Sequence, residues 1–169
     1  MRRLWIVALV TTVLGGAGAG LALHWSRPAE PEPFSKIEEG LYLGGSVEKP
    51  PQGTQAVVNL CGRPDPYQVG PSLWEPMYED GKGKAPTLDL LRRVVGFIDE
   101  QRRAGRTTYV HCMVGQNRSG SVVAAYLMQE HRIGRDEALA FLQRRRPEVQ
   151  PDPTLMRLLA EWEQALKSR

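Results

Sequence analysis

The side chains best suited to chemistry stand in one short segment of the sequence. Cys112 follows the β-branched and aromatic run 107–111, and Arg118 lies six positions further on. This spacing is long enough to wrap one tetrahedral anion in inward-facing backbone N–H groups and to return the arginine to the rim. A guanidinium binds two phosphate oxygens at once, which lysine does not. The predicted phosphate-binding residues are Met113, Val114, Gly115, Gln116, Asn117 and Arg118.

Cys112 is the predicted nucleophile. The same N–H groups, the N-terminus of a following helix and Arg118 would stabilise its thiolate in the absence of substrate. We therefore expect the pKa of Cys112 to lie well below the free-thiol value of about 8.5. A thiolate at the bottom of a phosphate site favours in-line attack on phosphorus and a phosphocysteine intermediate.

The segment His111-Cys112-x-x-Gly115-x-x-Arg118-Ser119 resembles the signature loop of protein tyrosine phosphatases, and in particular that of their compact dual-specificity branch. The resemblance covers nearly all of residues 36–166. It includes Leu41–Gly44 as the entry strand, 57–60 as a core strand, 124–128 as the helix behind the loop, and Glu137-Ala138 with Arg146-Pro147 as a downstream helix and turn. The resemblance implies hydrolysis of phosphotyrosine, phosphoserine or phosphothreonine in proteins, without a metal or cofactor.

The resemblance also implies a general acid on a loop upstream of the cysteine. Asp80 lies 32 positions before Cys112, in a glycine-rich stretch just ahead of a predicted helix. One carboxyl group there would protonate the leaving oxygen and then activate water against the phosphocysteine. Glu79 is the nearest competitor for this role, and Asp65 is a more distant one.

Three further roles follow from the family likeness. Ser119 is expected to donate a hydrogen bond to the sulfur of Cys112 and to ease its departure in the second step. His111 is expected to order the loop from behind. The segment 59–61 is similar to one in the phosphatase-and-tensin-like lipid phosphatases, where the equivalent cysteine forms a reversible disulfide with the nucleophile. Cys61 is therefore a candidate redox partner of Cys112, with a small buried hydrophobe as the alternative.

An α/β domain is predicted to position these residues. Short β-branched runs predict strands over 37–45, 55–60, 74–78 and 107–111, while residues 62–71 are rich in glycine and proline and predict a loop. Apolar periodicity and capping residues predict helices over 87–104, 118–132, 136–145 and 153–167. Alternation of these elements favours a mostly parallel central sheet flanked by helices, with the signature loop between a strand and a helix.

The N-terminal segment is predicted to be separate from the folded domain. Residues 4–23 carry no charge, follow Arg2 and Arg3, and as a hydrophobic helix would be about 30 Å long, enough for one membrane span. Residues 1–25 are predicted to be a membrane anchor, and the alternative is a signal peptide cleaved near 17–19. The basic flank predicts a cytoplasmic N-terminus, so the domain would lie outside the cytoplasm as a single-pass or exported protein.

Residues 26–34 read as a proline-rich linker, and residues 35–169 as the phosphatase-like domain. The length of 169 residues suits one domain, and the net charge of +3 fits an anionic substrate but is too scattered to indicate nucleic acid. Two cysteines exclude a disulfide framework, and three scattered histidines form no zinc pattern.

The residues alone leave other functions open. These are a catalytically silent phosphate-binding module, a phosphatase of lipid or other non-protein phosphates, and an arsenate reductase or sulfur transferase. The uncharged residues 113–117 favour a singly phosphorylated group over a polyphosphoinositide. The basic run 144–146 is either a second anion site or a solvated helix end.

Overall fold

The fold is built on a five-stranded sheet. The computed structural model describes residues 33–78 and 85–168. The strands are β1 Phe34–Glu38, β2 Leu41–Gly44, β3 Ala56–Asn59, β4 Ser72–Trp74 and β5 Thr108–His111. Their order in the sheet is β1-β2-β5-β3-β4, in which β1 pairs antiparallel with β2 and every other neighbouring pair is parallel. The predicted mostly parallel sheet is confirmed.

The helices are α1 Leu88–Arg103, α2 Arg118–His131, α3 Arg135–Gln143 and α4 Pro153–Lys167. The side chain of Thr87 caps α1 by accepting from the backbone N–H of Leu90 at 3.3 Å. The chain turns away after α1 at Gly105, whose φ is +73°. The four predicted helices therefore occur at the predicted places, and the bounds of α4 agree residue for residue.

The strand predicted over 74–78 was wrong in position. The structure has β4 over Ser72–Trp74, which ends where the predicted strand begins. Strand β4 ends at Trp74 because its partner β3 is short. The last pair of the two strands joins Asn59 of β3 to Trp74 of β4. Beyond that point the chain is held by isolated hydrogen bonds, such as the one from Met77 N to Leu60 O at 3.2 Å.

Helix α2 is the central helix of the core. It packs against α1, α3 and α4 and also against strands β2 and β5. Its residues from Ser119 to Met128 are all buried, so the helix is apolar around most of its circumference. Trp162 of α4 donates from Nε1 to the carbonyl oxygen of Ala125 at 3.0 Å, which fixes α4 against α2. Helix α2 begins at Arg118, the last residue of the signature loop, so this packing sets the position at which the loop ends.

Parallel pairing brings the start of the signature loop to the middle of one sheet edge. In the register, His111 of β5 lies opposite Asn59 of β3 on one side and Gly44 of β2 on the other. The backbone N–H of Cys112 donates to Gly44 O at 3.3 Å, immediately beyond these pairs. Ligand sites of open parallel sheets form at this carboxyl edge.

Part of the sequence-based prediction lies outside the described residues. This holds for the predicted anchor or signal peptide at 1–25, most of the linker 26–34, and both Glu79 and Asp80. Within residues 33–78 and 85–168, no helix is both long enough and apolar enough to cross a membrane.

Candidate active site

The signature loop 112–118 turns its carbonyl groups outward. Five successive carbonyl oxygens each accept a hydrogen bond from a donor that lies on the side of the loop opposite the predicted phosphate position. Because N–H and C=O point in opposite directions across a trans peptide, the N–H groups that follow point to the other side of the loop, where that of Gly115 donates to the sulfur of Cys112. The donors are Ser46 N to Met113 O (3.1 Å), Arg146 Nη2 to Val114 O (3.1 Å), Arg146 Nε to Gly115 O (2.8 Å), Gln150 N to Gln116 O (3.2 Å) and Ser121 N to Asn117 O (2.9 Å).

Arg146 is a structural part of this loop. Its side chain is almost fully buried, with 4% of the residue exposed, and its guanidinium donates to two consecutive loop carbonyls. This corrects both sequence interpretations of the run 144–146 for Arg146, because it is neither solvated nor available to an anion. Arg144 and Arg145 lie instead over the ring of Phe141, at 5.7 and 3.8 Å from its centroid.

Gly115 lets the loop approach the sheet. Its φ is +80°, and an ideal Cβ there would overlap the backbone of Gly44, lying 2.6 Å from its oxygen. Position 115 therefore requires glycine. Gly120 is needed for a different reason, since its φ is ordinary and a Cβ would crowd Val149 Cγ1 at 2.9 Å.

The side chain of Asn117 faces α4. Its amide donates to Asp152 Oδ2 and its carbonyl oxygen accepts from Asp152 N, both at 2.8 Å. Asp152 also caps α4 by accepting from Thr154 N and Leu155 N. Burial alone would raise the pKa of Asp152, but these hydrogen bonds lower it below its ordinary value. Asn117 therefore joins the loop to helix α4 through its side chain.

Cys112 lies at the bottom of the loop, with 2% of the residue exposed. Its Sγ accepts from Ser119 Oγ and from Gly115 N, each at 3.3 Å. Burial by itself would raise the pKa of the Cys112 thiol. The hydrogen bonds from Ser119 and Gly115, together with the positive charge of Arg118, outweigh burial and hold that pKa below its ordinary value. The structure thus brings the predicted nucleophile and Ser119 together.

Arg118 connects the loop to the chain that precedes the predicted acid. Its Nη1 donates to Leu60 O at 3.2 Å and to Met77 O at 3.1 Å. Met77 is itself fully buried. Asp80 follows three residues later in the sequence, and three residues extend at most about 11 Å. Asp80 itself lies outside the described residues, so its role as the general acid stays a prediction.

His111 ends strand β5 directly before the signature loop, and its predicted role in ordering the loop stays a prediction. It is fully buried and its ring stacks on Tyr109 with 5.2 Å between centroids. The Nε2 atom lies 3.0 Å from Asp65 Oδ1, a distance at which charge interacts strongly even though the N–H is not aligned for a hydrogen bond. Burial lowers the pKa of His111, while the Asp65 carboxylate opposes that change.

The pairing with His111 places Asp65 on the back of the loop. Asp65 therefore lies beside His111, and the choice between Asp80 and its competitors as the general acid stays a prediction. The sequence gives one indication of this position. Asp65 follows strand β3, and His111 ends the neighbouring parallel strand β5, so both must lie at the same sheet edge.

Cys61 is a free, buried thiol in the structure, and so is Cys112. The Sγ atom of Cys61 lies 3.9 Å from Nδ1 of His111, the residue that precedes Cys112. Burial raises the pKa of Cys61, and the neighbouring Cys112 raises it further. Cys61 is thus a weak nucleophile near the active thiol, and its exchange with Cys112 stays a prediction.

Comparison with known proteins places this geometry among phosphatases. A family model described as the dual specificity phosphatase catalytic domain matches residues 65–165. Human dual specificity protein phosphatase 1 is 28% identical over 142 residues, which are 80% of this chain and 37% of that protein. The Arabidopsis thaliana dual specificity protein phosphatase 1 is 38% identical over 73 residues, 43% of this chain and 37% of that protein. The chain thus spans only 37% of the length of either relative.

The solved structure of human DUSP28 shares the fold. It superposes with a TM-score of 0.72 at 26% sequence identity, covering 82% of this chain and 97% of DUSP28. The likeness therefore extends over most of the chain.

Removal of the Ser119 hydroxyl should raise the pKa of Cys112. A hydrogen bond to a charged group contributes about 1.5–3 kcal/mol, which corresponds to about 1–2 pH units. The pH dependence of alkylation by iodoacetamide should shift to higher pH by that amount in Ser119→Ala. Ser121→Ala is the matched control, because the Ser121 hydroxyl lies on the same helix but donates to Asn117 O. An unchanged midpoint in Ser119→Ala would refute the role of this hydroxyl.

Cys61 should protect Cys112 from irreversible oxidation. After exposure to peroxide and then to a thiol reductant, wild type should regain its activity, because a disulfide is reducible and a sulfinic acid is not. Cys61→Ser should regain clearly less activity. If the variant recovers as fully as wild type, Cys61 is only a buried core residue.

Proposed function

The chain belongs to the dual specificity phosphatase family, and on this basis we propose that it hydrolyses phosphomonoesters through a covalent intermediate on Cys112. The family assignment makes it a cysteine-dependent phosphatase. The observation that carries the proposed mechanism is the environment of the sulfur, where Ser119 Oγ and Gly115 N both lie at 3.3 Å. An N–H cage that stabilises a thiolate also suits the oxygens of a phosphoryl group.

In the first step the Cys112 thiolate attacks phosphorus. A sulfur–phosphorus bond forms, and the bond between phosphorus and the ester oxygen breaks. Asp80 gives its proton to that oxygen, so the leaving group departs as a neutral alcohol or phenol. The inward N–H groups and the Arg118 guanidinium bind the phosphoryl oxygens as charge develops on them.

In the second step water replaces the cysteine. The Asp80 carboxylate takes a proton from the water, whose oxygen attacks phosphorus and releases inorganic phosphate. The sulfur leaves as a thiolate, and the hydrogen bond from Ser119 stabilises it there. Cys112 and Asp80 then stand in their starting protonation states.

The substrate expected from the sequence is a phosphorylated tyrosine, serine or threonine in a protein. The human relative is a dual specificity protein phosphatase, which supports the same class. The wall of the site is uncharged from residue 113 to 117, which suits a single phosphoryl group.

Hydrolysis of aryl phosphates by the full chain in mild detergent tests the mechanism. Turnover should persist with EDTA and vanish in Cys112→Ser, because no nucleophile remains. Asp80→Asn should slow the hydrolysis of phenyl phosphate by about 100-fold or more, which is the usual contribution of a general acid. The loss should be smaller for p-nitrophenyl phosphate, whose leaving oxygen is less basic.

Glu79→Gln is the matched control for the acid. It removes a carboxylate from the neighbouring position and should leave both rates near wild type. A folded, reduced chain that hydrolyses neither aryl phosphate would contradict the proposed reaction and favour a phosphate-binding module. A loss in Glu79→Gln in place of Asp80→Asn would move the acid to Glu79.

A further inference from the structure

A cavity of about 560 Å³ lies between strands β3 and β4 and the loop that joins them. Asn59 and Trp74 line it at the ends of the two strands, and Asp65, Tyr67 and Gln68 line it from the loop. None of residues 112–118 contributes to its wall, so the cavity is separate from the predicted phosphate site. A concave site of this size holds a small organic molecule or a single side chain of a larger one.

The wall of this cavity carries a negative charge. Among the described residues that line it, Asp65 is the only one with a charged side chain. Burial and the Asp65 carboxylate both raise the pKa of Tyr67, so its phenol stays neutral beside that carboxylate. No described lining residue is basic, so the cavity does not suit a second phosphate.

The carboxylate of Asp65 has no positively charged partner among residues 33–78 and 85–168. Its side chain is only 14% exposed, and its one close polar contact is the 3.0 Å approach of Oδ1 to His111 Nε2, which is not aligned as a hydrogen bond. Burial lowers the pKa of His111 in spite of Asp65, so the imidazole is neutral at pH 7. A mostly buried carboxylate without a cation is costly, and a cation that enters the cavity would offset that cost.

Trp74 gives the cavity an aromatic wall. Its Nε1 donates to Cys61 O at 2.8 Å, which fixes the position of the indole ring. The residue is nevertheless 53% exposed, so part of the ring is open to a ligand. The face of an indole attracts a cation more strongly than the other aromatic rings do, and a planar guanidinium stacks on it as well. Gln68 and Ser72, which are exposed and also line the cavity, have side-chain oxygens that accept from N–H groups.

From these observations we propose that the cavity binds an organic cation, a guanidinium or alkylammonium group, with Asp65 as its counter-ion and Trp74 as its aromatic platform. Two sources carry this group. One is an arginine or lysine side chain of a phosphorylated protein substrate, and the other is a free amine that binds independently of the substrate. The site goes beyond the proposed hydrolysis, because binding there requires no reaction at Cys112.

The first test compares a cation with its uncharged counterpart. The full chain in mild detergent is titrated in a calorimeter with N-acetylarginine amide and with N-acetylcitrulline amide, in which a urea group replaces the guanidinium. The arginine derivative should bind with a Kd of about 1 mM or below, which is ordinary for a ligand of about 15 non-hydrogen atoms. The citrulline derivative should bind at least about tenfold more weakly, because it lacks the charge.

Two variants locate the site. Asp65→Asn keeps the shape of the side chain and should remove the difference between the two amides. Asp99→Asn is the matched control and should keep it, because Asp99 is a carboxylate of similar exposure (21%) that pairs with Arg103 on α1. Trp74→Leu replaces an exposed ring and should weaken the arginine derivative by about two- to fivefold, the usual effect of losing one cation–π contact.

The second test identifies the source of the cation. Arginine is placed at successive positions on both sides of the phosphotyrosine in a peptide, and each peptide is compared with its citrulline twin. A lower KM for the arginine peptide at one position, with competition by N-acetylarginine amide, assigns the cation to the substrate. Equal KM values at every position, with N-acetylarginine amide still bound through Asp65, assign it to a free amine.

Two results would overturn the cation site itself. One is equal affinity of wild type for the two amides. The other is a preference for the arginine derivative that survives unchanged in both Asp65→Asn and Trp74→Leu. The titration needs no turnover, so a failure of the proposed hydrolysis at Cys112 would leave its result intact.

Discussion

The outward hydrogen bonds of the carbonyl groups at 113–117 determine what the inside of the loop can bind. A loop with some carbonyl oxygens turned inward would repel both a thiolate and a phosphate. Here each of the five oxygens is bonded to a donor behind the loop, and Arg146 alone supplies two of these bonds. The desolvation cost of burying the guanidinium is offset by its hydrogen bonds to these peptide carbonyl groups. The same hydrogen bonds hold the carbonyl groups in their outward orientation. The geometry of the cage is therefore set before a substrate arrives.

The other buried polar groups extend this support outward from the loop. His111 and Asp65 hold the end of β5, and Asn117 and Asp152 tie the far end of the loop to α4. Cys112 gains its lowered pKa from groups fixed by these contacts, although burial acts in the opposite direction. Arg118 then joins the loop to Met77, the anchored residue nearest to the predicted acid. Reactivity of the thiol thus depends on residues that never contact the phosphate.

The sequence predicted the local features and missed the long-range ones. Strands and helices follow from β-branched runs and caps, and the roles of Cys112, Arg118 and Gly115 follow from chemistry that needs those residue types at that spacing. The inward turn of Arg146 was missed because a basic run at a helix end looks the same whether solvated or buried. The contact between Asp65 and His111 was missed because the two residues lie 46 positions apart in the sequence and only the fold brings them together.

The most direct test of this account is the affinity of the full chain for inorganic phosphate in Arg146→Lys, measured by titration calorimetry. Lysine keeps the charge but loses the fork that holds two carbonyls, so the Kd for phosphate should rise about tenfold or more although the protein stays folded. Arg145→Lys, next to it but exposed over Phe141, should bind phosphate as wild type does. Equal phosphate affinity in a folded Arg146→Lys protein would show that the loop holds its shape without this support.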